Sequence, residues 1–177
     1  MLVWLDIETT GLEPTEHEIL EIGFIITDDN LAELGRASWV LPFNGTVDKF
    51  IDAMHTQSGL LYACNLLRQN GTIVTCWEIR QEISAWLGRY LDVGEKPPLC
   101  GSSVGFDKSF LAASAFSPLL ERFHYRTVDV SSVKELARRW APSVYESRPK
   151  DRHIHRALPD LEDSIAEAKH YREHLFK

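Results

Sequence analysis

The stretch LVWLDIETTGL, residues 2–12, decides the reading of this chain. Leu2 to Ile7 is a short apolar run of the kind that forms a buried strand, broken by one acid, Asp6, with a second, Glu8, two positions on. Side chains alternate along a strand, so Asp6 and Glu8 point to the same face. Two carboxylates side by side repel each other unless a cation joins them, and hard divalent ions such as Mg2+ and Mn2+ are held by carboxylate oxygens, water and phosphate. An acid pair on an otherwise apolar strand therefore reads as a candidate metal site.

Outward from this segment, Ile19 to Thr27 and Leu31 to Leu41 read as further strands joined at Asp28-Asp29-Asn30, a turn. The period then changes. Leu60, Cys64 and Leu67 recur at helical spacing, with Gly71 as a stop. Ile79, Ile83, Trp86, Leu87 and Tyr90 mark a second helix, for which Thr75 and Glu78 form a capping box. Pro97-Pro98 leads into a short strand, Leu99 to Gly101, and a helix begins near Phe106. Arg126 to Val130 reads as a strand, followed by a helix capped by Ser132 with Glu135 and ended by Pro142. Leu161, Ile165, Ala168 and Leu175 share one face of a last helix, with Pro159 in its first turn. The expected architecture is a mixed sheet covered by helices.

The 177 residues suit one domain spanning 1–177, and 44% hydrophobic content with five Trp and eight Phe supplies its core. No apolar run approaches the roughly 20 residues of a membrane span, and the acid-bearing start lacks the basic region of a signal peptide. Three cysteines, an odd number without a CxxC pair, fit buried thiols in a reducing cytoplasm. The net charge of −7 argues against a long electrostatic track along DNA or RNA, since such binding rests on neutralising many phosphates. A short substrate with one or two phosphates is compatible with it. Arg148, Lys150, Arg152, His153, His155 and Arg156 lie close together, either as a solvated loop or as a local phosphate-attracting rim.

Further candidates lie far from the first pair. Asp107, in GSSVGFDKSFL, opens a helix, as does Asp160 in HRALPDLEDSI, where an acid complements the helix dipole. His155 precedes Asp160 by five residues, in the loop feeding that helix. Histidine ordinarily titrates near 6.5 and is suited to take a proton from water near neutral pH.

Taken together, WLDIETTGL, HTQSGL, CGSSVGFDKSFL, FHYRTVDVSSVKELARRW and HRALPDLEDSIAEAKHYREHL resemble the DEDDh branch of the DEDD exonuclease superfamily, and within it the oligoribonuclease family. The resemblance runs nearly end to end. It implies an α/β, ribonuclease H-like fold, a homodimer, two divalent cations (Mg2+ or Mn2+) and a 3′-to-5′ exoribonuclease acting on RNA of two to a few nucleotides. It assigns metal ligation to Asp6, Glu8, Asp107 and Asp160, and the general base to His155. It also implies substrate contacts: Leu12 as a wedge between two bases, Phe50 as an aromatic under a base, and His55, Ser103, Arg126 and Ser131 around a 5′ phosphate. Tyr125 would reach the partner's site. Thr9, Phe106 and Pro159 depart from the residues usual there (Met, Gln and an acid), and residues 44–77 are the least family-like. The competing expectations are a DEDDh exonuclease working on longer single strands or DNA 3′ ends, and a non-catalytic binding module.

Overall fold

The computed structural model describes residues 1–43, 45–69 and 75–176. Strand β1 (Leu2–Thr9) lies at the centre of a five-stranded sheet. It pairs antiparallel with β2 (Ile19–Thr27), which pairs antiparallel with β3 (Glu33–Val40). On its other side β1 runs parallel to β4 (Leu99–Gly101), and β4 to β5 (Thr127–Asp129), giving the order β3-β2-β1-β4-β5.

Alternation along β1 sets the layers. Val3, Leu5 and Ile7 face one core with Phe24, Ile26, Ile83, Leu87 and Phe110, contributed in part by helices α3 (Cys76–Leu87) and α4 (Val104–Ala113). Trp4 faces the other core with Ile25, Cys100, Val130, Leu161 and Tyr171, under α5 (Val130–Trp140) and α7 (Ala157–Leu175). Asp6 and Glu8 continue the row that Trp4 begins, so they emerge beside α7. Three more helices, α1 (Lys49–Gln57), α2 (Leu60–Gln69) and α6 (Pro142–Glu146), and a 3-10 helix at Ser117–Arg122 complete the described residues.

The mixed sheet, its strands and the Thr75–Glu78 capping box form as expected, with Thr75 Oγ1 accepting the Glu78 N–H. Several local expectations are corrected. Helix α1, carrying Phe50 and His55, was not anticipated. The strand expected at Arg126 to Val130 is shorter, because Val130 already belongs to α5. The cap of α5 is Asp129, whose carboxylate accepts the Ser131 N–H at 2.9 Å, while Ser132 lies inside the helix. Helix α4 starts at Val104, after Ser103 in a left-handed conformation (φ 58°), earlier than Phe106. Pro142 is at the start of α6 as well as beyond the end of α5. The expected stop at Gly71 lies outside the described residues.

Candidate active site

Three elements bring the acids together. Asp6 and Glu8 come from β1 and Asp160 from the first turn of α7, and their carboxylate oxygens lie within 4.8 Å of one another. Asp107 arrives from the first turn of α4. It is fixed by β1 itself: beyond the short β4 ladder, the Ile7 N–H donates to Asp107 Oδ1 at 2.9 Å. Unpaired buried backbone donors are costly, so this bond both satisfies Ile7 and locates the carboxylate.

Burial is the main electrostatic fact here. It pushes the Asp6 pKa well above the usual carboxylate range, and Asp107, Glu8, Asp160 and Glu21 add to the rise. Burial raises Glu8 to about 8, reinforced by Asp160, Glu21 and Asp107. Asp107 is raised to about 7 by burial, against the opposing Ile7 N–H. Asp160 is raised to about 6 by burial and then by Asp151 and Asp163, with the backbone of His155 opposing through a hydrogen bond. Four acids whose ionisation is resisted share one place. Asp160 Oδ1 is buried without a hydrogen-bond partner. An all-carboxylate donor set with an orphaned oxygen fits divalent cations, which supply the missing charge and the missing partner.

His155 lies in the loop before α7, in the left-handed region (φ 57°), and lines a cavity of about 200 Å³ with Asp6, Ser102, Lys134, His153, Asp160 and Ser164. The cavity thus joins two of the acids to the candidate base. A second carboxylate group (Asp151, Asp160, Asp163) shares Asp160, but Asp163 is already occupied by Arg152, whose Nε donates to it at 2.6 Å.

The expected substrate residues fall into two sets. Ser103 and Ser131 are brought together, hydroxyl to hydroxyl at 3.3 Å, with Asp129 accepting from Ser103 N–H and from Ser131 Oγ. Arg126, five positions before Ser131, is exposed, with its guanidinium 5.3 Å from the Tyr125 ring centroid. Leu12, Phe50 and Tyr125 are 62%, 76% and 73% exposed, so none is a core residue. His55 is set deeper than these. It is buried with a ring nitrogen 2.9 Å from the Thr9 carbonyl and the other 3.8 Å from Glu8, and burial lowers its pKa. The ring thus stands beside Glu8, and its Nδ1, the nitrogen nearer Glu8, has no hydrogen-bond partner.

The three arginines of the basic loop have carboxylate partners. Arg148 pairs with Glu167, Arg152 with Glu162 and Asp163, and Arg156 with Glu21. Sequence reading missed Glu21. It stands opposite Glu8 in the β1/β2 ladder and receives two bonds from Arg156. A lone acid in an apolar strand gave no signal of its partner 135 positions away.

The model of an exonuclease family matches residues 3–168. The oligoribonuclease of Marinobacter nauticus is 40% identical over 99% of this chain and 96% of its own length. The chain belongs to the oligoribonuclease family. Family relatives in Streptomyces avermitilis (39% identical over 99% of this chain and 86% of theirs) and Corynebacterium diphtheriae (39%, 97% and 81%) extend the match. Family membership makes it an exonuclease, and hence a hydrolase. Among solved structures, exonuclease I from Methylocaldum szegediense (TM-score 0.71, 18% identity) and a zinc-bound E. coli exonuclease I complex with single-stranded DNA (TM-score 0.70, 14%) share the ribonuclease H-like fold. They cover 99% and 98% of this chain, which spans only 41% and 40% of theirs.

Proposed function

We propose that this chain removes nucleotides from the 3′ ends of RNA fragments of two to a few nucleotides, releasing nucleoside 5′-monophosphates with two divalent cations, Mg2+ or Mn2+. The observation that carries the proposal is the convergence of Asp6, Glu8 and Asp160 around a buried, electron-rich centre, with Asp107 beside it and His155 on the same cavity. Bound there, the cations supply Lewis acidity toward the scissile phosphate and a more acidic water. Asp6, Glu8 and Asp160 would hold them, with Asp107, fixed by the Ile7 N–H, in support. His155 takes the proton of the attacking water; the acids are poorly suited to that task, since neighbouring cations keep them ionised.

Short substrates follow from the remaining surface. Exposed Leu12, Phe50 and Tyr125 offer apolar contacts to bases, and stacking on an aromatic contributes roughly 1–3 kcal/mol per base with little dependence on base identity. Ser103, Ser131, Arg126 and His55 supply donors for one 5′ phosphate. A chain of net charge −7 needs no long basic groove for such a substrate.

A homodimer is part of the proposal. β5 is one of the two edge strands; Tyr125 just before it, Val128 within it, and Leu136 and Trp140 of the helix that follows are exposed, the last at 76%. An open strand edge next to apolar side chains invites a second copy. No helix among the described residues is long and apolar enough to cross a membrane, and we place the activity in the cytoplasm. The test is incubation of a 5′-phosphorylated RNA dinucleotide with Mg2+ or with chelator. Nucleoside 5′-monophosphates should form only with the metal and not in Asp160→Ala; release without metal, or undiminished release by that variant, would overturn the reading.

A further inference from the structure

We infer that Arg156 and Glu21 are a positioning couple for the reaction: they hold the backbone after His155 against the sheet that carries Asp6 and Glu8, and so aim the imidazole. The inference rests on His155 being the general base.

Two non-glycine residues in this loop, His153 (φ 52°) and His155 (φ 57°), have left-handed backbones. Such conformations cost about 1–3 kcal/mol and persist only where the surroundings over-determine them. The surroundings here are three arginines spaced four residues apart. Arg148 reaches Glu167 of α7, at 3.4 Å. Arg152 donates from its backbone N–H and its Nε to Asp163 and from Nη2 to Glu162 and the Pro159 carbonyl, all at 2.6–2.9 Å. Arg152 ties the loop to α7, and Arg148 ties it to α7 and, through the Tyr145 carbonyl at 2.7 Å, to α6. Arg156 differs, because its partner is in the sheet. Its Nε and Nη2 donate to the two oxygens of Glu21 at 2.8 and 3.0 Å, and the Ala157 N–H donates to the same carboxylate at 3.3 Å.

Glu21 is 1% exposed and stands directly across the ladder from Glu8. Residues 156 and 157 are thus anchored to the strand adjoining the metal ligands, one step after the base. The two-pronged geometry is specific to arginine; lysine offers charge without the planar fork. Glu21 also takes up the Arg156 charge, which leaves that arginine structural instead of available to a phosphate.

The experiment is a double-mutant comparison on an RNA dinucleotide with Mg2+, using Arg156→Ala, His155→Ala and the pair together. Arg156→Ala should lower kcat by about 10²-fold, the scale of a misplaced catalytic group, with KM within about threefold. Added guanidinium, but not ammonium, should restore part of the loss. In the His155→Ala background the same substitution should cost little, because there is no base left to aim. An equal loss in both backgrounds, or near-normal kcat in Arg156→Ala, would overturn the inference. Near-normal activity of His155→Ala alone would instead remove the general-base reading beneath it. If Arg156→Ala does not fold, Arg156→Lys keeps a charge on Glu21 without the fork, and the same comparison applies.

Discussion

Ala157, the first residue of α7, occupies the space left by the missing side chain of Gly23. A Cβ built on Gly23 would lie 2.6 Å from the Ala157 Cβ, and Gly23 pairs with Asp6 across the β1/β2 ladder. This close approach seats the first turn of α7, with Asp160, over the strand that carries Asp6. Gly23→Ala should therefore cost about 1–3 kcal/mol through overpacking and should reduce turnover beyond what the stability loss explains. Thermal unfolding and dinucleotide hydrolysis measured on one preparation check this. Full turnover in the variant would mean that the seating of α7 does not set the site.

His155→Ala should slow the chemical step by about 10²–10⁴-fold and leave substrate affinity nearly intact. Single-turnover rates beside equilibrium binding separate the two effects. Matching losses in rate and affinity would assign His155 to binding.

The raised pKa values predict how stability depends on pH. Glu8 at about 8, Asp107 at about 7 and Asp160 at about 6 bind protons more readily in the folded protein than in the unfolded chain. Their contribution is complete below the unfolded carboxylate value of about 4 and is lost as pH rises through the folded values. Metal-free protein should lose thermal stability between about pH 5 and 8. Mg2+ or Mn2+ should restore it, most strongly at the alkaline end, where protons compete least for the carboxylates. A Tm unaffected by pH and by metal across that window would contradict the clustered-acid account.

The layers and the acid row were legible because alternation on β1 is strong: Trp4, Asp6 and Glu8 share a parity, and Val3, Leu5 and Ile7 take the other. What escaped reading depended on partners distant in sequence. Arg156 looked like a rim cation because nothing in its neighbourhood names Glu21. Spacing does not say which way a helix turns a ring, and α1 turns His55 toward Glu8 and Thr9. At α5, both Asp129 and Ser132 have side chains that can cap, and the strand ladder from β4, which pairs Gly101 with Asp129, settles the start in favour of Asp129.

Arg126→Ala should harm 5′-phosphorylated dinucleotides more than unphosphorylated ones. A hydrogen bond to a charged group contributes about 1.5–3 kcal/mol, which is roughly 10–100-fold in kcat/KM. The ratio of the two substrates in wild type and variant is the measurement. An unchanged ratio would remove Arg126 from the 5′ end of the substrate.

The most direct test is a length series: initial hydrolysis rates for 5′-labelled RNA from two to about ten nucleotides, with DNA of the same lengths beside it. The account predicts that the dinucleotide is fastest, that rates fall as length grows, and that products shorten one nucleotide at a time from the 3′ end. Rates that rise with length, faster hydrolysis of DNA, or internal cuts would contradict it.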